Sequence, residues 1–87
     1  MGIAKRKLKV KNAQGLHARP AALFVQLANK FDSSITVTKD GQEVNGKSIM
    51  GILMLAAEKD SEILIVAEGS DAKEAIEALE ELISEGE

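Results

Sequence analysis

The sequence predicts an α+β open-faced sandwich: a four-stranded antiparallel sheet with three helices on one face, in the order β-α-β-β-α-β-α over 87 residues. Three patterns predict it. Segments alternating with period two leave one apolar and one polar face, as in a sheet covered on one side only. Segments with an apolar stripe at helical spacing need a surface to lie on. Asp40-Gly41, between two alternating segments, is a two-residue hairpin turn that makes its strands antiparallel neighbours.

Each element has its own signal. Leu8 and Val10 alternate with Lys7, Lys9 and Lys11 as a half-buried strand, and residues 12–15 form a loop. From about Ala18 to Asn29 the positions Ala21, Leu23, Phe24, Leu27 and Ala28 fall on one helical face, with Phe31 just beyond. Pro20 sits in the first turn, where a missing N–H is tolerated. Ile35 to Thr38 alternates again and, after the Asp40-Gly41 turn, Gln42 to Val44 forms the partner strand. Ser48 is an N-cap for a short helix from Ile49 to Ala57, which Gly51 weakens. Glu62 to Ala67, almost wholly apolar and rich in β-branched residues, reads as a central strand. Asp71 with Glu74 resembles a capping box opening a helix whose stripe is Ala72, Ala75, Ile76, Leu79, Leu82 and Ile83, with Gly86 as its stop.

Composition narrows the function. At 9.3 kDa the expected organisation is one domain spanning residues 1–87, with a modest core and no deep cleft. The absence of Cys excludes a disulfide framework, a thiolate nucleophile and a Cys-based zinc site, and makes the cytoplasm the expected compartment. No apolar run is long enough to span a membrane. Met1-Gly2 resembles a myristoylation start, but Arg6 stands where that motif requires Ser or Thr, so no membrane anchor is expected.

A net charge of −3 hides a gradient. Residues 1–30 hold seven Lys or Arg and no acid, whereas the last twenty residues carry eight acids and one Lys. The basic third suits nucleic acid, a phosphate or an acidic protein partner. With two Phe as the only aromatics, the chain lacks the stacking residues of single-strand and RNA-recognition surfaces. For Lys5 to Lys11 the plainer reading, a soluble edge strand, stands equally beside the functional one.

The lone His stands in Gly15-Leu-His-Ala-Arg-Pro20. As a plain residue it is a surface or satisfied structural His. Its context adds a second reading. Gly15 permits positive φ or close backbone approach, and Pro20 fixes a helix start just after His17. Free amides and the positive dipole end there favour an anion, a phosphate above all. The same field favours a neutral ring with an unprotonated, nucleophilic nitrogen, which would acquire a phosphoryl group where one is held. Arg19 is either a solvated side chain at the helix start or a guanidinium reaching phosphate oxygens or a partner carboxylate. No elbow motif supports a serine triad, one His has no companion ligands for a metal, and no Gly-rich Lys-Ser/Thr loop provides for ATP. The chain is expected to receive a phosphate and pass it on, with no cofactor.

The second constellation is Val44-Asn-Gly-Lys-Ser-Ile-Met-Gly51. Its plain reading is a capped core helix. Yet Ile49, Met50 and Leu53 are too many apolar residues for one buried stripe of so short a helix. Some are expected to be exposed as a docking surface, to which a phosphate on Ser48 would add about −2 charges.

Together the two motifs resemble the HPr family, the histidine-containing phosphocarriers of the bacterial phosphoenolpyruvate-dependent sugar phosphotransferase system. The resemblance spans nearly the whole chain, and the element order agrees. It implies phosphorylation of His17 on Nδ1 by phospho-Enzyme I and donation to the IIA domains of sugar permeases, with Arg19 contacting phosphate or partner. It implies that Ser48 is modified by HPr kinase/phosphorylase where that enzyme exists, and that a catabolite-control transcriptional regulator binds the modified form in some bacteria. Leu16, Phe24, Lys47, Ile49, Met50 and Leu53 are the implied partner-binding residues of a cytoplasmic monomer. The protein is a carrier and not a turnover enzyme in this reading, and binds neither nucleic acid nor membrane. Ala56 and Asp60 depart from the family by standing where many relatives carry Gly, Asp60 being expected to alter the turn before the last strand, and the N-terminus has a short extra stretch. The presence of His17 sets the chain apart from the His-lacking catabolite-repression paralogue. Three rivals stay open: a nitrogen-related phosphotransferase paralogue, a regulatory binding module using the Ser48 patch, and a nucleic-acid binder using the basic strand.

Overall fold

The computed structural model describes residues 2–84. Seven elements follow in the expected order: β1 (Gly2–Lys9), α1 (Ala18–Ala28), β2 (Ser34–Lys39), β3 (Gln42–Asn45), α2 (Ile49–Leu55), β4 (Glu62–Gly69) and α3 (Ala72–Ser84). The strands form one antiparallel sheet in the order β1-β4-β2-β3. Period-two alternation decides which face is covered. Leu8, Ile35, Val37, Ile63, Ile65 and Ala67 are buried together beneath the helices. Their alternates Lys5, Lys7, Thr36, Thr38, Leu64 and Val66 share the other, uncovered face through the pairs Lys5↔Val66, Lys7↔Leu64 and Thr36↔Val66.

β4 is central, as its composition predicts, but Leu64 and Val66 are only half-buried because no helix covers their face. β1 starts earlier than the Leu8–Val10 alternation suggests, since Ala4 and Arg6 continue its inward face. The Asp40-Gly41 turn has φ of +51° and +83°, both left-handed, and closes the Lys39↔Gln42 pair.

The helices supply the other half of the core. α1 buries Ala21, Phe24 and Ala28, while Leu23, assigned from sequence to the same stripe, is exposed on the flank. α2 stops at Leu55, two residues before the expected Ala57, because Ala56 turns left-handed at φ +51°. α3 buries Ala72, Ala75, Ile76, Leu79 and Ile83, and its predicted stop at Gly86 lies outside the described residues. Its start departs from the capping-box expectation. The Asp71 carboxylate reaches across the molecule, accepting from the Asp32 amide (2.9 Å), the Ser33 amide (2.9 Å) and the Ser33 hydroxyl (2.5 Å). The Ser33 hydroxyl first, then the Asp32 amide, hold this carboxyl below its ordinary value of 3.8, against the opposing effect of desolvation. Asp71 thereby ties the α1–β2 turn to the start of α3. No helix among the described residues is long and apolar enough to cross a membrane.

Candidate functional site

The site is built on the segment joining β1 to α1. This segment is fastened to the α2–β4 connection from both ends. The Val10 amide donates to the Ser61 carbonyl at 2.9 Å, the Asp60 amide to the Val10 carbonyl at 2.7 Å, and the Leu16 amide to the Ala57 carbonyl at 2.7 Å. Gly15 allows this approach. Its φ is +69°, and a Cβ built on it would stand 2.4 Å from the Ala57 carbonyl oxygen. Leu16 is 2% exposed and anchors the loop in the core.

His17 follows directly, held at the N-cap of α1 with φ −112° and ψ 161°, its side chain exposed and making no capping hydrogen bond. Its carbonyl accepts from the Ala21 amide at 3.1 Å. Pro20 has no N–H to offer, so the open donors of this helix end are the amides of Ala18 and Arg19, which find no acceptor among the described residues. The first turn carries no acid. Ala18 has φ +29°, a strained value for a residue with a Cβ, of the kind that costs about 1–3 kcal/mol and concentrates at functional sites. The result is an uncommitted imidazole next to two uncommitted amides and the positive end of an 11-residue helix.

Arg19 is exposed and makes no ion pair among the described residues. It borders a groove of about 550 Å³ between the β1–α1 loop, the first turns of α1 and the end of α3, with Asn12, Gln14, Leu16, Leu23 and Ile83 among its walls. The buried Oδ1 of Asn12 has no hydrogen-bond partner among the described residues. Asn12 carries no signal in the sequence, since an Asn in a loop is ordinary on its own.

Ser48 caps α2 as predicted, its hydroxyl accepting from the Gly51 amide at 3.1 Å. The turn before it is locked to the far end of α1: the Lys47 ammonium donates to the Phe31 carbonyl at 2.7 Å, and the Asn29 side chain donates to the Lys47 carbonyl at 3.2 Å. The start of α2 therefore lies beside the end of α1. Its exit at Ala57 lies beside Leu16, at the start of α1. The two helices run antiparallel, with His17 and Ser48 at opposite ends of the pair. Their separation is the length of α1, about 16 Å for 11 residues.

Between them lies an apolar surface. Ile49, Met50 (64% exposed) and Leu53 face solvent, joined by Met54 (63%), which carries no separate signal in the sequence; Leu23 is exposed on the other flank of α1, in the groove beside Leu82 and Ile83. Three proposed contact residues are placed otherwise. Phe24 is fully buried and Leu16 nearly so, because both fill the core beneath the surface, and Lys47 is half-buried with its ammonium bound to Phe31. These three support the site from below.

Comparison with known proteins supplies the family and supports the fold. The family described as PTS HPr component phosphorylation site matches over residues 4–85. HPr-like protein Crh of Halalkalibacterium halodurans is 52% identical over 77 residues, 88% of this chain and 92% of the relative. The phosphocarrier protein HPr of Bacillus anthracis superposes with a TM-score of 0.93 at 50% identity, covering 97% of this chain and all of that one (100%). Crh of Bacillus subtilis, solved as a dimer with a swapped domain, gives 0.77 at 48% identity, covering 92% of each chain. Two motifs, an exposed imidazole at a helix start and a whole-chain match converge on one statement: the chain belongs to the HPr family.

Proposed function

We propose that this protein is a phosphoryl carrier of the sugar phosphotransferase system, taking the group on His17 from phospho-Enzyme I and passing it to the IIA domains of sugar permeases. The observation that carries this reading is the exposed, unbonded His17 imidazole beside the open amides of Ala18 and Arg19. In the neutral ring protonated on Nε2, the Nδ1 lone pair forms the new bond to phosphorus as the donor's bond breaks. The Nε2 proton stays in place. The helix-start amides and the Arg19 guanidinium meet the phosphoryl oxygens. Transfer to the next protein reverses these steps, so the chain ends each cycle unchanged and acts as a cytoplasmic carrier, not an enzyme.

The apolar surface of Ile49, Met50, Leu53 and Met54 serves successive partners. Phosphorylation of Ser48 by HPr kinase/phosphorylase places charge at its edge, which disfavours Enzyme I and presents a form for a catabolite-control regulator. The carrier works as a monomer, since one copy of the site holds every residue named. Incubation with phosphoenolpyruvate and Enzyme I tests the reading: acid-labile, base-stable phosphate appears on the wild type and is lost in His17→Ala. Absence of label on the wild type overturns it.

A second reading has its own support. Identity to Crh (52%) matches identity to HPr (50%), so a regulatory module acting through Ser48 fits the comparisons equally well. His17 favours the carrier, and the labelling experiment separates the two. A nitrogen-related paralogue would take label on His17 but fail to pass it to sugar-specific IIA domains.

A further inference from the structure

The lysines of β1 have no part in the site above. Ile3, Lys5, Lys7 and Lys9 all point to the uncovered face of the sheet, while Ala4, Arg6 and Leu8 point to the helices, Arg6 pairing with Glu80 of α3. β1 is an edge strand, so its outer backbone groups have no strand partner among the described residues. None of Lys5, Lys7 and Lys9 forms an ion pair among the described residues. Lys5 and Lys7 stand opposite apolar Val66 and Leu64. Ile3, 63% exposed, ends the row.

We propose that the free edge of β1 is a second interaction surface, which takes an extended acidic segment of a partner protein as an added antiparallel strand. Residues of such a strand share the face of the residues they oppose, with Cβ atoms about 5 Å apart. Acids at alternate positions therefore meet Lys9, Lys7 and Lys5 in turn, and an apolar residue two further on meets Ile3. The fitting pattern is acid-x-acid-x-acid-x-aliphatic. Backbone hydrogen bonds supply affinity and the alternate side chains supply register.

Charge selects this occupant over others. A second copy is disfavoured, because antiparallel pairing of two β1 strands about Lys7 sets Lys5 against Lys9 and Lys7 against its own copy. A membrane or nucleic acid is disfavoured because the same face also carries Glu62 and Glu68 on β4 and Glu43 on β3. The positive stripe is one strand wide and suits a ligand one strand wide. The acids of α3 lie on the opposite side of the sheet.

The test is an amide NMR titration of the full chain with a synthetic Glu-x-Glu-x-Glu-x-Val peptide at low and high salt. The expected shifts fall on residues 2–9 and weaken with salt. Lys5→Glu/Lys7→Glu lowers affinity by about tenfold or more, and Lys5→Gln/Lys7→Gln by less. A backbone N-methylated peptide of equal charge fails to bind, and phosphoryl uptake by His17 in the double variants keeps its wild-type rate. Shifts confined to α1 and α2, equal binding of the methylated peptide, tighter binding of single-stranded RNA or anionic vesicles, or pairing of two copies would each overturn the proposal. So would a loss of phosphoryl uptake matching the loss of peptide affinity.

Discussion

Replacing Ser48 with Asp places one negative charge at the start of α2, where Asp is itself a good N-cap and the helix is retained. The charge can slow phosphorylation of His17 by two routes, and the geometry separates them. Directly, a unit charge acts on a phosphoryl dianion about 16 Å away along α1, worth about 0.5 kcal/mol in water. Screening over a Debye length of about 8 Å cuts this to about 0.1 kcal/mol, a change of roughly 20% in rate. Through the partner, the same charge sits at the rim of the surface formed by Ile49, Met50 and Leu53, where under the proposed function it would oppose acidic groups of a docked donor at contact distance. A loss of about 1.4 kcal/mol at that contact slows transfer about tenfold. Rapid-quench measurement of transfer from phospho-Enzyme I is expected to show about a tenfold deficit at low salt that shrinks at high salt, with hydrolysis of phospho-His17 within about 20% of wild type. A transfer rate unchanged at both salt concentrations, or a hydrolysis rate shifted as much as transfer, would rule out a charge acting through the docked partner.

Three further outcomes follow from the geometry. Gly15→Ala forces a Cβ to within 2.4 Å of the Ala57 carbonyl oxygen at φ +69°; it is expected to lose about 2 kcal/mol or more in urea unfolding and to slow phosphoryl uptake by displacing His17. Ala56→Gly relieves a left-handed residue at φ +51° and is expected to gain about 0.5–1 kcal/mol; Asp60→Gly (φ +72°) gains less, since Asp tolerates this region better, and urea midpoints measure both. Asp71 has a lowered folded-state pKa, so its contribution is present above the ordinary carboxylate value of 3.8 and disappears as pH falls below it through the folded value. Asp71→Asn is therefore expected to be less stable than wild type at neutral pH, with the difference closing at acid pH; a constant difference across that range would contradict the role given to Ser33 and Asp32.

The element order could be read from the sequence because it depends on interactions within a few residues. Alternation marks β1 and β2, an apolar β-branched run marks β4, the 3.6-residue stripe marks α3, and the Asp40-Gly41 turn marks the hairpin. The same locality made the center of the site legible: Gly15, His17 and Pro20 act on one another across a single turn, and Ser48 caps a helix three residues away. Side-chain destinations were less accessible. Asp71 reads as a capping residue in its local context, but its partner Ser33 lies 38 positions away, and Lys47, implied as a partner contact, has its ammonium held by the Phe31 carbonyl from 16 positions away.

Local sequence alone suffices to mark which segments are helix or strand, where the lone imidazole sits and which helix start it occupies, because backbone propensity and capping are short-range. Packing between distant elements is what puts Leu16 and Phe24 beneath the apolar surface and Met54 within it, leaves Leu23 exposed on the α3 flank of α1, and sets the lysines of β1 along a sheet edge. Apolar character alone does not say whether a side chain is covered. Coverage depends on which elements pack together, and that is set by the summed burial of residues far apart in the chain.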